Sequence, residues 1–64
     1  MPDIKVKTKY GVGHLIGLDD EHEIYTVRFD KKDYAPEEWN AICPSGGTCM
    51  FKPIAYRDVV LENQ

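Results

Sequence analysis

The sequence predicts a small all-β domain, a five-stranded antiparallel barrel, on the basis of three observations. Apolar residues alternate with polar ones in short segments, glycine and proline interrupt those segments, and no stretch shows a long helical repeat. Alternation with a period of two is typical of strands that bury one face, whereas an amphipathic helix repeats about every 3.6 residues. At 64 residues the chain is expected to form a single domain, residues 1–64, with a thin core.

The alternating segments predict strands at residues 3–8, 12–18, 24–29, 49–52 and 59–61. The third strand is the clearest, because Tyr25, Val27 and Phe29 fall on one face. Pro53 is expected to end the fourth strand, and residues 55–58 to form the turn before the fifth. Most of the core is expected from the inward apolar positions, which are Ile4, Val6, Leu15, Tyr25, Val27, Phe29, Phe51, Val59 and Leu61.

Three glycines interrupt the second strand, in the stretch Y10-G-V-G-H-L-I-G17. A phosphate-binding glycine motif needs its glycines between a strand and the N-terminus of a helix, and no helix is predicted after Gly17. The stretch also lacks the Lys-Ser/Thr pair of a P-loop. Gly11, Gly13 and Gly17 are therefore interpreted as sites where the strand bends so that the sheet can curl.

Three segments together carry a resemblance to a known group of proteins. They are V6-K-T-K-Y-G-V-G-H-L-I-G-L18, I24-Y-T-V-R-F-D30 and F51-K-P-I-A-Y-R-D-V-V-L-E62. The aromatic-Gly-x-Gly start, the V-x-F strand and the turn before the last strand are similar to SH3-like or Tudor-like barrels of bacterial transcription and repair proteins. Examples are the C-terminal Tudor-like domain of UvrD-type helicases and the RNA-polymerase-interacting domain of CarD-like regulators. The resemblance implies an SH3-like barrel that acts as a binding module rather than an enzyme.

One departure from that group is the long insertion between the third and fourth strands, residues 31–47. Its Pro36-Glu37-Glu38 segment is compatible with one or two helical turns. Long loops in compact domains are commonly functional or disordered, and this one contains Tyr34, Trp39 and Ile42. Two interpretations stay open: Trp39 and Ile42 cap an open end of the barrel, or Tyr34 and Trp39 form an exposed recognition surface.

The leading functional hypothesis is a module that docks on a larger transcription, repair or phage-related protein machine. Its expected partner-binding anchors are Tyr34, Trp39 and Tyr10. Another hypothesis is that the same aromatic residues, with a nearby carboxylate, form a cage that binds a modified lysine or arginine. Each of these hypotheses requires aromatic side chains that a partner can reach.

The alternative hypothesis is a nucleic-acid-binding barrel, in which Tyr10 or Tyr34 stacks on bases. The net charge of −3 argues against it, because affinity for a phosphate backbone comes from clustered Lys and Arg. The lysines of the first strand share one face, where they either bind a partner or protect the strand from edge-to-edge pairing. The candidate phosphate-binding residues are Lys5, Lys7, Lys9, Lys31, Lys32 and Arg57.

Two cysteines and two histidines raise the question of a metal site, but their spacing does not favour one. Five residues separate Cys43 from Cys49, which is wider than the typical C-x₂₋₄-C spacing, and His14 and His22 lie far upstream. We expect no metal, no cofactor and no catalytic site. The P-S-G-G-T segment could turn back to allow a disulfide, whereas a reducing cytoplasm favours two free thiols. Either way, the cysteines are expected not to be required for folding.

The composition also indicates the expected location of the protein. No apolar run approaches the roughly 20 residues that span a bilayer, and residues 1–3 lack the features of a signal peptide. We therefore expect a cytoplasmic protein with no membrane contact.

Overall fold

The computed structural model of the protein describes residues 4–61. Within that range the strands are β1 (Lys5–Thr8), β2 (Gly11–Asp19), β3 (Ile24–Asp30), β4 (Cys49–Ala55) and β5 (Val60–Leu61). The helix α1 (Pro36–Ile42) and the single 3₁₀ turns η1 (Lys31–Asp33) and η2 (Tyr56–Asp58) lie between them. The predicted all-β class is confirmed, and a short helix does form in the insertion between β3 and β4.

All strand pairs are antiparallel, and the order across the sheet is β4-β3-β2-β1-β5. A tight turn joins β1 to β2, where the Thr8 hydroxyl donates to the Gly11 carbonyl oxygen at 3.0 Å and accepts from the Tyr10 N–H at 3.0 Å. β5 pairs with the other side of β1, opposite Val6 and Lys7. Closure of this sheet into a barrel stays a prediction.

The core lies between one face of the sheet, here called the core face, and helix α1. Val6, Val27 and Phe29 of the sheet and Trp39 of the helix have no exposed surface, and Cys43 and Ile54 complete the buried set. The prediction for Val6, Val27 and Phe29 is thus confirmed. The other predicted core residues that pack partly buried against this cluster are Ile4, Leu15, Tyr25, Val59 and Leu61.

The predicted burial of Phe51 is wrong, because Phe51 pairs with Arg28 on the side of the sheet away from the core. The predicted end of β4 at Pro53 is wrong as well. The strand continues to Ala55 and pairs Tyr25 with Ile54. Side chains alternate along a strand, so Ile54 faces the core and Phe51 faces away, with 59% of its surface exposed. Pro53 is tolerated because β4 is an edge strand, where the missing N–H need not serve a neighbouring strand.

The glycines of β2 have different structural reasons. Gly11 has a φ of +121° and lies against Tyr34, so that a Cβ there would approach Cε2 of that ring to 2.8 Å. Gly13 faces the core, where a Cβ would come within 2.5 Å of Cγ1 of Val27. The β2–β3 register shifts between Leu15 and Gly17, which is the β-bulge expected of a bent strand. The register shift is consistent with the predicted bend near Gly17, whereas Gly13 packs closely against Val27.

Candidate functional site

A shallow cleft lies where β3 passes into η1. It has a volume of about 600 Å³ and is lined by Arg28, Asp30, Lys31, Lys32 and Thr48. The backbone N–H of Lys31 donates to the carbonyl oxygen of Thr48 at 3.0 Å, which joins the end of β3 to the chain entering β4. The cleft therefore lies between the end of β3 and the residue that leads into β4, and not on the long insertion alone.

The lining of the cleft is locally cationic. Arg28, Lys31 and Lys32 contribute three positive charges, and Asp30 contributes one carboxylate. Nη2 of Arg28 donates to Oδ2 of Asp30 at 3.2 Å, which leaves the two exposed lysines without an acidic partner inside the lining. The whole chain carries a net charge of −3, so the cleft has the opposite sign and favours an anionic group.

An exposed aromatic ring lies beside the cleft. Phe51 pairs directly with Arg28 across β3 and β4, and directly opposed side chains point to the same side of a sheet. This side, opposite the core face, is called the outer face. Phe51 is one of the most exposed large apolar residues of the described chain. An aromatic ring next to an arginine is the combination enriched at the centres of protein interfaces.

The same row of the outer face continues into a polar cluster formed by His14, Asp30 and Asp33. His14 of β2 pairs with Arg28 and, on its other side, with Lys5. Its Nε2 lies 3.3 Å from Oδ2 of Asp33 and 3.7 Å from Oδ2 of Asp30. Although it faces away from the core, His14 is only 8% exposed.

Trp39, predicted as an exposed anchor, is fully buried in the core. The exposed interpretation is therefore wrong for Trp39, because its position on α1 directs the ring onto the sheet, where apolar burial stabilises it. Tyr34 is half-buried: its hydroxyl donates to the Val12 carbonyl oxygen, and its ring packs against Phe29 and Trp39 with centroids 6.3 and 5.9 Å away. Burial, and secondarily the nearby Asp33 and Glu38 carboxylates, raise the pKa of Tyr34 to about 12.

Tyr10, the third predicted anchor, is also half-buried, and its ring meets Phe29 edge to face at 6.2 Å. The ammonium groups of Lys9 and Lys52 lie 5.3 and 4.9 Å from the centre of the Tyr10 ring. These distances are typical of cation–π contacts within the chain itself. Tyr10, Tyr34 and Trp39 consequently pack around Phe29 and leave no open cage among themselves in this structure.

The predicted phosphate-binding residues do not form one track. Lys31 and Lys32 meet at the cleft, while Lys5 and Lys7 are exposed on the outer face of β1. Lys9 lies at the Tyr10 ring. Arg57 belongs to η2 and lines a separate depression with His22, Glu23, Ala55 and Tyr56, near the opposite end of β3 from the cleft.

Both cysteines are free thiols in the structure, with Cys43 buried and Cys49 exposed. A hydrogen bond with the Ser45 hydroxyl, together with the backbone N–H groups of Gly46 and Gly47 and the charge of Lys52, lowers the pKa of the Cys43 thiol, against an opposing effect of burial. Among residues 4–61, the group of metal-ligating side chains close enough to share an ion is His14, Asp30 and Asp33, and it contains neither cysteine.

The sequence interpretation missed the residues that the structure brings together. Arg28 and Phe51 are far apart in the chain, and Phe51 was assigned to the core. The sequence did indicate that His14 and Arg28 face away from the core, since the residues next to them in their strands face the core. No sequence pattern could give the distance between His14 and Asp33, because it depends on how η1 folds back towards β2.

Among residues 4–61, none of the helices has the length and apolar composition that a bilayer-spanning helix requires. Comparisons with protein-family models, with curated proteins and with solved structures find no match to this chain. Any functional inference for this chain therefore rests on the geometry of the cleft and on the sequence resemblance.

Proposed function

We propose that the protein is a non-enzymatic binding module that docks on an acidic segment of a larger protein. The sequence resemblance implies a transcription, repair or phage-related machine as that partner. The single observation behind the proposal is that exposed Phe51 lies directly across from Arg28, beside the cleft that Lys31 and Lys32 line.

The chemistry of this surface matches an acidic protein segment with an apolar side chain. Phe51 offers a ring that loses water contact on binding, which is the main source of affinity at interfaces. Lys31 and Lys32 offer charge complementarity, which speeds association and selects the partner. This proposal places the anchor at Phe51 and not at Trp39, since a fully buried ring has no surface to offer.

Nucleic acid binding is the second candidate, and one observation favours it. Phe51 could stack on an unpaired base while Arg28, Lys31 and Lys32 contact phosphates, a combination that single-strand-binding proteins use. The net charge of −3 and the Asp30 carboxylate within the cleft count against it. Binding to a protein partner is therefore the preferred proposal.

The test is quantitative capture of proteins from the source cell with the wild-type chain and with two variants of the surface, Phe51→Ser and the double variant Lys31→Glu, Lys32→Glu. A captured protein is then purified and titrated against each variant. Phe51→Ser should weaken binding by about 2 kcal/mol or more, the level of an interface hot spot. The charge reversal should mainly slow association.

Matched controls come from exposed residues elsewhere. Leu18 is 60% exposed, about as much as Phe51, but lies near the far end of β2, so Leu18→Ser should leave binding unchanged. Lys5→Glu with Lys7→Glu reverses two exposed charges outside the cleft. Equal loss in the controls would contradict the proposal. Binding to single- or double-stranded DNA with a steep salt dependence that the Lys31→Glu, Lys32→Glu variant loses, and with an affinity that Phe51→Ser lowers, would favour the nucleic-acid candidate instead.

A further inference from the structure

Three side chains from separate elements meet at one end of the outer face. His14 comes from β2, Asp30 from the last position of β3 and Asp33 from η1. Their nearest ligand atoms, one imidazole nitrogen and two carboxylate oxygens, all lie within 4.8 Å of one another. We propose that His14, Asp30 and Asp33 bind a divalent transition-metal ion of the zinc type.

The separations fit a shared ion. Two ligands held about 2.1 Å from a tetrahedral metal lie about 3.4 Å apart. The His14 Nε2 atom is 3.3 Å from Oδ2 of Asp33 and 3.7 Å from Oδ2 of Asp30, both close to this separation, and all three ligand atoms lie within 4.8 Å of one another. In the metal-free protein Nε2 and Oδ2 of Asp33 form a hydrogen bond, which the ion would replace.

The burial of the three side chains also suits a metal. The His14 and Asp30 side chains are 11% and 17% exposed, whereas that of Asp33 is 36% exposed. Two ligands are therefore fixed by the packed sheet, and the third closes the site from the solvent side. Three protein ligands with one side open leave room for water to complete the coordination.

The choice of metal follows from the donor atoms. Imidazole suits zinc, copper, iron and nickel, while carboxylates alone suit magnesium, calcium and manganese. One imidazole with two carboxylates favours the borderline ions, of which zinc accepts both donor types. The cysteines lie outside this group, so the site differs from a cysteine-based zinc site.

Arg28 opposes metal binding in a way that can be measured. Its Nη2 donates to Oδ2 of Asp30 at 3.2 Å, the same oxygen that faces His14. A positive charge at this distance competes with a metal cation for the Asp30 carboxylate and so lowers the affinity of the site for the metal. Arg28→Gln should therefore bind zinc more tightly than the wild type, a result that a purely structural hydrogen-bond cluster does not predict.

The experiment is a calorimetric titration of zinc into the chelator-treated protein. We expect binding at one site, weakened at least tenfold by Asp33→Asn, because loss of even a supporting partner of a metal ligand commonly costs about 10–100-fold. Asp33 is the ligand of choice for substitution, since it is the most exposed of the three and its loss should leave the fold intact. Arg28→Gln is expected to change affinity in the opposite direction.

The second His–Asp pair provides the control. His22 Nδ1 lies 2.8 Å from Oδ2 of Asp19 in the exposed turn between β2 and β3, so Asp19→Asn should leave the affinity unchanged. Cobalt(II) used in place of zinc should broaden the NMR signals of the His14 ring more than those of His22. The proposal is overturned if zinc does not bind, if Asp19→Asn abolishes binding, if Asp33→Asn has no effect, or if cobalt gives the charge-transfer absorption of a thiolate ligand.

Discussion

The indole N–H of Trp39 donates a hydrogen bond to the carbonyl oxygen of Gly47, with the two atoms 2.8 Å apart. Trp39 lies on α1 and is fully buried, whereas Gly47 lies in the segment that leads into β4. The Trp39 side chain thus fills the core and, through its hydrogen bond, also holds the second half of the insertion in place. Within the insertion, Trp39 therefore has a structural role in the core, whereas Lys31 and Lys32 line the cleft.

Replacing Trp39 separates these two contributions. Trp39→Ala should lower the free energy of unfolding by about 3–5 kcal/mol, because it leaves a large cavity in a small core. Trp39→Phe keeps part of the apolar volume and loses the hydrogen bond, so a smaller loss is expected. Urea denaturation of both variants is the measurement. Trp39→Ala with wild-type stability would contradict the role of Trp39 in the core.

Two glycines of β2 form a matched pair for a second test. A Cβ at Gly13 would lie 2.5 Å from Cγ1 of Val27 and 3.0 Å from the Arg28 carbonyl oxygen, so Gly13→Ala should cost about 1–3 kcal/mol through overpacking. A Cβ at Gly17 would meet Thr26 at an ordinary 3.7 Å. Gly17→Ala should change stability by at most about 1 kcal/mol. Thermal melts that rank the two variants in the reverse order would show that Gly13 is not tightly packed.

A third prediction concerns the hydroxyl of Tyr34. Tyr34→Phe removes the donor to the Val12 carbonyl oxygen while keeping the ring between Gly11 and Trp39. We expect a loss of about 1 kcal/mol, the usual contribution of one hydrogen bond. Denaturant unfolding of the purified variant measures it. An unchanged unfolding midpoint would mean that the hydroxyl contributes nothing to stability.

A fourth prediction follows from two tyrosine pKa values. Tyr34 is raised to a pKa of about 12 chiefly by burial, and Tyr56 to a pKa of about 12 chiefly by its hydrogen bond to Asp20. Because the folded pKa exceeds the unfolded value of about 10, the neutral hydroxyls stabilise the fold fully below pH 10. That contribution should be lost as the pH rises from about 10 through about 12.

An alkaline titration followed by tyrosinate absorbance checks the fourth prediction. Tyr56→Phe should remove one group that ionises late and leave the pKa of Tyr34 unchanged. The Tyr56 hydroxyl bonds to Asp20, whereas the Tyr34 hydroxyl bonds to Val12. Ionisation of all four tyrosines in one step near pH 10 in the folded protein would contradict both raised values.

The sequence predicted the strands well because alternation is a local signal. Tyr25, Val27 and Phe29 alternate without interruption, and β3 forms where the pattern places it. Phe51 was misassigned because the local pattern of β4 does not say which of its two faces is buried. Pro53 was wrongly expected to stop the strand, although a proline can continue an edge strand. Its position at the edge depends on the order of all five strands, which local pattern does not contain.

The candidate site was less predictable for a physical reason. Lys31 and Lys32, selected from the sequence as candidate phosphate-binding residues, are exposed, but their neighbours in space, Arg28 and Thr48, come from β3 and from the residue just after the insertion. Trp39 illustrates the same limit, since an aromatic residue in a long loop is equally compatible with a buried or an exposed position. Only the packing of α1 onto the core face decides between the two.

The pairing of β5 with β1 has a consequence for how the chain folds during its synthesis. Val6 and Leu61 are neighbours in the sheet, although they are separated by almost the whole described chain. A ribosome releases β1 long before β5, so one side of β1 has no hydrogen-bonding neighbour until β5 has been synthesised. Contacts so distant in sequence slow folding, and unpaired strand edges invite aggregation meanwhile. Lys5 and Lys7 are exposed on β1, and lysines at an unpaired strand edge are expected to discourage nascent chains from pairing there.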